Sequence, residues 1–327
     1  MERIAFIIGH HYIYWNSILM ALASAAAVCT FLALYLRQEK RGCAAALFVP
    51  LAVGASLVLS RLVCWYFRPE SYTDFEAVLN LSVPGGSALA GVFAGCFLAA
   101  LLVRGLSMMD DLPELMDCLC LAGGVGIALG RLSSLFDASD RGMQVPTGWG
   151  MPWANVVINP VSGAQECRLA TFLLQAMAAG GITLVLLVLY LTKKDHRKPG
   201  DTALIFILCY GASQVLLDST RYDSMYFRSN GFIRIVQVLG ACGIVLAAVA
   251  FSCRLVRQRG WKGWYLLLWA GLAAMLGIAG SMEYFVQRWS GRLLLGYSIM
   301  ALALLGAVVM TLVIRALAEK RWFLWKS

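Results

Sequence analysis

Nine apolar stretches, each close to the length a helix needs to cross a bilayer, leave this chain few ways to fold. They fall at about 16–36, 44–66, 85–103, 114–136, 169–192, 202–219, 233–253, 264–281 and 293–316, and a hydrocarbon core of ~30 Å asks for roughly 20 helical residues. None shows the sustained alternation of a barrel strand, so helices are left as the way to satisfy the backbone amides in lipid. A share of 60% hydrophobic and 14% charged residues is also far from that of a soluble domain. The predicted fold class is an all-α polytopic membrane protein. Its first span reads as retained, because Arg3 is balanced by Glu2 and the apolar run that follows exceeds the ~7–15 residues of a cleavable signal core.

Basic residues set the expected orientation. The alternate connections 37–43, 104–113, 193–201 and 254–263, with the tail 315–327, hold more than half of the 27 Lys+Arg and every lysine. The positive-inside rule then places the amino terminus outside and the carboxyl terminus in the cytoplasm. The net charge of +9 reflects that bias, and no nucleic-acid motif accompanies it. A basic, aromatic turn from Arg254 to Lys262 separates the last two spans from the rest. The expected organisation is a seven-helix core over 1–255 and an appended two-helix hairpin with a cytoplasmic tail over 256–327.

Charges at the span ends call for partners. Arg131 ends an apolar run that begins at Gly123, and Arg61 stands near the end of an earlier span; intramembrane cations usually face a protein interior, a counter-charge or a ligand. The pairs Gly91/Gly95 and Gly126/Gly130 let helices approach closely, which would bring Arg131 inside a bundle. Tyr210, Gln214, Asp218 and Arg221 are spaced to share one helical face. Asp218 and Arg221 can pair at i, i+3, or the stripe can line a polar cavity.

The basic residues on the outward side are all arginine: Arg3, Arg68, Arg141, Arg168, Arg221, Arg228, Arg234, Arg288 and Arg292. An arginine fork suits phosphate, and an arginine at a helix end can equally snorkel to headgroups. The ten cysteines lack ligand-like spacing, and His10, His11 and His196 are the only histidines. Neither a metal site nor a cofactor is expected. Cys167, on the outward side without a nearby histidine, reads as structural.

The order of motifs resembles bacterial prolipoprotein diacylglyceryl transferases over roughly residues 5–255. Gly9 through Trp15 is similar to the family's Gly-x-x-x-x-x-Trp start of the first span, and Ser60-Arg61-Leu62 to its Ala-Arg-Leu segment. Gly85-Gly86 through Gly95 resembles its double-glycine helix. Gly130-Arg131-Leu132-Ser133-Ser134-Leu135-Phe136-Asp137, then Gly142, Pro146-Thr147 and Pro152-Trp153, follows its Gly-Arg-x-Gly-Asn-Phe-x-Asn signature and the loop after it. Tyr210-Gly211, Asp218 and Arg221 are similar to its Tyr-Gly-x-x-Arg-x-x-x-Glu-x-x-Arg, and Gln237 to a glutamine of its last core span. The chain departs from that pattern at Ala90 for histidine, Ser134 and Asp137 for asparagines, and Gln214 for arginine; before span five only Gln165-Glu166 remains of a longer motif.

The resemblance implies transfer of a diacylglyceryl group from phosphatidylglycerol to the thiol of a lipobox cysteine, at the outer leaflet of the bacterial cytoplasmic membrane. The partners it implies are an anionic phospholipid and lipobox-bearing preproteins. Arg131 and Arg221 would hold the lipid phosphate with Arg61 in support, while Ser134, Asp137, Gln214 and Asp218 would contact the headgroup. Glu166 or Asp137 would be the base, and Arg131 would serve in catalysis. The departures leave open a protein of the same fold that binds phospholipid or a partner without turnover. The long loop 137–168, with Trp149, Trp153, Pro146, Pro152 and Pro160, would sit at the membrane interface or gate the substrate.

Overall fold

The computed structural model describes residues 4–9, 11–38, 42–80, 86–107, 111–137, 139–146, 148, 150, 152–158, 163–192, 198–227, 230–288 and 292–319. Of the positions singled out above, Glu2, Arg3, His10, Gly85, Thr147, Trp149, Pro160, His196 and Arg228 lie outside these residues. The chain forms two compact units, Met1–Ala203 with Tyr222–Val236, and Leu204–Arg221 with Gln237–Ser327.

The first unit begins with an antiparallel hairpin of β1 (Ile4–Ile8) and β2 (His11–Tyr14), reversed at Gly9 with φ +60°. Helix α1 (Trp15–Leu36) follows β2 without a linker. Helix α2 (Gly42–Phe67), a short helix α3 (Phe75–Leu79), α4 (Leu89–Gly105) and α5 (Leu112–Leu132) come next, and α5 tightens into a 3₁₀ turn over Ser133–Leu135. A second hairpin, β3 (Ala154–Ile158) with β4 (Gln165–Leu169), leads into α6 (Thr171–Thr192). After α7 (Asp201–Ser219), whose first residues belong to this unit, a third hairpin of β5 (Tyr226–Phe227) and β6 (Asn230–Arg234) runs into α8 (Ile235–Arg259).

Close helix contacts occur where the small residues fall. A Cβ on Gly91 would collide with the Leu59 carbonyl and Ser60 of α2, and one on Gly95 with the Ser56 backbone. That approach lets the Ser56 hydroxyl donate to the Val92 carbonyl at 3.1 Å. Gly126 and Gly130 instead face α1, at Ala27 and at Met20 with Ala23. Arg131 follows Gly130 in the last turn of α5.

At the other end of α5, Asp117 is fully buried and accepts from the amides of Gly200 at 2.9 Å and Ala203 at 2.8 Å. A carboxylate from one helix thus caps the start of another, where orphan amides and the helix dipole favour a negative charge.

The second unit contains the rest of α7 and α8, with α9 (Tyr265–Arg288) packed on α10 (Leu293–Ala318). Leu208, Ile244, Phe251, Leu272, Met300 and Ile314 form its buried core. Gly211 and Gly240 bring the backbones of α7 and α8 together, each occupying the space that the other's Cβ would need. Trp269 donates to Ser252 at 3.1 Å and ties α9 to α8.

Among the described residues, eight helices are long and apolar enough to cross a membrane. The ninth expected span corresponds to α4, which is apolar but has 17 residues. The chain is mostly helical, as predicted, and its described residues add three hairpins that hydropathy does not reveal. Each hairpin ends within two residues of a helix start, so strand pairing satisfies backbone amides almost up to the first helical turn.

Candidate functional site: the arginine end of helix α5

The last turn of α5 carries Arg131, where the partial negative charge of the helix terminus favours a cation. Its Nη1 lies 2.6 Å from Oδ2 of Asp140, and the Ser134 hydroxyl donates to the same oxygen at 3.1 Å. Arg131 and Asp140 are 15% and 16% exposed, so the pair is largely withdrawn from solvent while an edge stays accessible.

Asp140 is one of two described non-glycine residues with positive φ, at +59°. Both of its backbone polar groups are engaged: its amide donates to the Asp223 carboxylate at 2.9 Å, and its carbonyl accepts from the Phe172 amide at 3.1 Å. Left-handed backbone costs a non-glycine residue about 1–2 kcal/mol, least for Asp and Asn. Here the contacts from either side hold it.

Arg141 folds back under this turn. Its Nη2 donates to the carbonyls of Ser134 and Asp137, each at 2.8 Å, and its guanidinium lies 4.5 Å from the Phe172 ring centroid. It thereby satisfies carbonyls left over where the helix stops. Burial pulls its pKa below the ordinary guanidinium value, opposed by the negative charges of Asp137, Asp140 and Asp223. The Asp137 carboxylate itself accepts from Ser139 at 3.0 Å and Asn16 of α1 at 3.4 Å. Arg68 reaches the same region, donating to the carbonyls of Asp223 at 2.7 Å and Ser224 at 3.2 Å.

Arg131, Ser134 and Asp137 are therefore gathered within one network, joined by Asp140 and Arg141. Glu166 and Arg61 have partners of their own in the same unit. On β4, Glu166 accepts from Nε and Nη2 of Arg168 at 3.0 and 2.6 Å, while that guanidinium covers the Tyr222 ring at 4.0 Å. Arg61 donates to the carbonyls of Val78 at 2.8 Å, Ala77 at 2.7 Å and Asn80 at 3.2 Å, closing the end of α3, and stacks on Tyr72 at 5.0 Å. Burial raises the Tyr72 pKa against the lowering effect of Arg61, and the hydroxyl donates to the Gly86 carbonyl.

Gln214, Asp218 and Arg221 belong to the second unit. Asp218 is fully buried and its Oδ1 lies 3.7 Å from Nη1 of Arg221, the i, i+3 pairing the sequence allowed. Gln214 is 3% exposed one turn deeper, and Gln237 of α8 donates to the Val215 carbonyl at 3.3 Å.

Sequence reasoning missed Asp140, Asp223 and Asn16, and left Arg141 as one arginine among many. Arg141 is only 6% exposed, so it serves the protein interior and not the headgroups. Adjacent opposite charges at Asp140 and Arg141 were the one local signal. Asp223 gave none, since it lies 83 residues from its partner.

A sequence model of the prolipoprotein diacylglyceryl transferase family matches residues 3–253. Curated relatives include the phosphatidylglycerol–prolipoprotein diacylglyceryl transferase of Bacillus licheniformis, 25% identical over 79% of this chain and 94% of its own length. Enzymes of that name from Clostridium perfringens and Clostridioides difficile are 23% and 22% identical, covering 76% and 77% of this chain and 93% and 96% of theirs. With the match running through the arginine end of α5 and on into α8, the chain belongs to the prolipoprotein diacylglyceryl transferase family.

Proposed function

We propose that this protein transfers the diacylglyceryl group of phosphatidylglycerol to the cysteine thiol of lipobox-bearing precursors, at the outer leaflet of the bacterial cytoplasmic membrane. The observation that carries the reading is Arg131, held at the end of α5 with Ser134 and Asp137 in one polar network where the family signature falls. In the transfer, the cysteine sulfur attacks the glyceryl carbon that bears the phosphate. A C–S bond forms and the C–O bond breaks, glycerol phosphate leaves, and the thiol proton passes to a base and then to solvent or the leaving group.

Such a step needs the thiolate to be favoured and the leaving phosphate to be stabilised by fixed positive charge. Arg131 is the phosphate ligand of the first unit, and Arg221 is a second by its place in the motifs. Ser134, Asp137, Gln214 and Asp218 contact the headgroup, and Arg61 supports from the end of α3. Asp137 and Glu166 are the candidate bases, and Glu166 would have to exchange its contact with Arg168 to accept a proton. The amino terminus is assigned to the outside. Residues 1–255 form the catalytic core and 256–327 an addition to it.

A second reading, phospholipid binding without turnover, is favoured by Asp140, which already neutralises Arg131, and by Ala90 and Gln214 where the family pattern has basic or titratable groups. Expression in a strain depleted of its own transferase separates the two. Rescue of lipoprotein modification that is lost in Arg131→Ala supports transfer; failure of rescue with the protein present in the membrane supports binding alone. Gain of activity only in the doubly restored Ala90→His, Gln214→Arg protein would identify a decayed enzyme.

A further inference from the structure

The pairing of Arg131 with Asp140 is built more firmly than charge neutralisation requires. A carboxylate that only balanced an arginine could come from any flexible loop residue. Asp140 instead adopts a left-handed backbone, fastened by the Asp223 carboxylate at its amide and by the Phe172 amide at its carbonyl. The strand-paired segment behind it is fixed as well. Gly142 donates to the Leu169 carbonyl at 2.8 Å, and a Cβ on Gly142 would strike the Thr171 hydroxyl. The loop is thereby packed closely against the start of α6.

The side chain that results is aimed with equal definition. One oxygen, Oδ2, receives both the Arg131 guanidinium and the Ser134 hydroxyl, from successive turns at the end of α5. Strained backbone held by its surroundings concentrates where geometry matters to function. An arginine has several rotatable bonds, and a fixed carboxylate on one nitrogen sets the plane in which its other N–H groups point. Misplacing a ligand contact by ~1 Å costs on the order of 100-fold in rate, so fixing that plane has a functional consequence.

We propose that Asp140 is a positioning residue for Arg131: it orients the guanidinium for the phosphate of the lipid donor, with Asp223 and Ser134 holding Asp140 in place. The inference rests on the reading of Arg131 as the phosphate ligand. Asp140 acts through Arg131 and does not touch the reacting atoms. Its loss therefore matters only while Arg131 is present.

The test is a double-mutant cycle on the full-length protein in detergent micelles, with phosphatidylglycerol as the probe and retained lipid read by native mass spectrometry. Arg131→Ala, Asp140→Asn and the double variant are compared with wild type, and thermal unfolding confirms that each is folded. Losing an oriented charge-assisted hydrogen bond is worth about 1.5–3 kcal/mol, so each single variant is expected to weaken retention by roughly tenfold to 100-fold. The double variant is expected to be no weaker than Arg131→Ala alone. Should Asp140→Asn not fold, Asp140→Glu keeps the charge on a longer stem, and its folded protein is expected to bind with reduced affinity. Wild-type retention in Asp140→Asn, or in the folded Asp140→Glu that replaces it, overturns the proposal, as does a loss that adds in full to that of Arg131→Ala. If Arg131→Ala retains lipid as wild type does, the phosphate reading fails and Asp140 loses its role with it. That pattern differs from the one in which Asp140 alone proves silent.

Discussion

The end of α5 and the α9–α10 hairpin are both made of apolar helices, yet they differ in how they treat charge. Around the first, Arg131, Arg141, Asp137, Asp140 and Asp223 share one connected set of contacts within the family match. The second lies beyond residue 253, where the match stops. There the carboxylates of Glu283 and Glu319 are met along single helices, by Gln287 at 2.7 Å and by Arg315 at 3.1 Å, while neutral contacts such as Trp269 to Ser252 join the hairpin to α8. Long-range charge networks cost desolvation and persist where geometry must be fixed; i, i+4 pairs cost little and fix little. The contrast accords with the proposed placement of the chemistry in the first region.

Substitutions can break or sharpen that contrast. The largest effect is expected from Arg131→Ala, which removes the proposed phosphate ligand and should lower transfer to a lipobox peptide by at least about 100-fold, measured by mass of the peptide product. Arg141→Ala should follow. It strips the carbonyls of Ser134 and Asp137 of a donor and removes a positive charge beside the partly exposed Asp137, Asp140 and Asp223, for a stability loss of about 1–3 kcal/mol read by thermal unfolding in detergent. Asp117→Ala should destabilise by about 1–3 kcal/mol, since the Gly200 and Ala203 amides lose their buried acceptor. Its effect on transfer should track only the fraction folded. Glu283→Gln in the hairpin should leave transfer within about twofold of wild type, as expected of a change away from the site. A large loss there would give the hairpin a share in the reaction.

Much of this was legible in the sequence, and the limits have physical causes. The window 16–36 became Trp15–Leu36 and 169–192 became Thr171–Thr192 because the bilayer imposes both length and apolarity on a spanning helix. Gly91, Gly95, Gly126 and Gly130 could be read as contact points, since a missing side chain is visible in the sequence wherever it falls. The strands Ile4–Ile8 and Asn230–Arg234 could not. They are short and adjoin spans, and lack a clean alternation to set them apart from those spans.

At the site, Arg131, Ser134 and Asp137 stood out because they share one contiguous motif. Asp140 escaped notice because its importance comes from backbone conformation and from Asp223, which a linear pattern cannot show. Arg61 was visible as a charge near a span end, but its use in closing α3 depends on a five-residue helix that hydropathy does not resolve.

The most direct measurement is the product itself: membranes carrying this protein, from cells depleted of their own transferase, incubated with phosphatidylglycerol and a lipobox peptide. The expected result is a peptide heavier by one diacylglyceryl group on its cysteine, with glycerol phosphate released in equal amount and neither formed by Arg131→Ala. Folded wild-type protein that retains phosphatidylglycerol but yields no modified peptide would contradict the transferase reading and leave a lipid-binding member of the family.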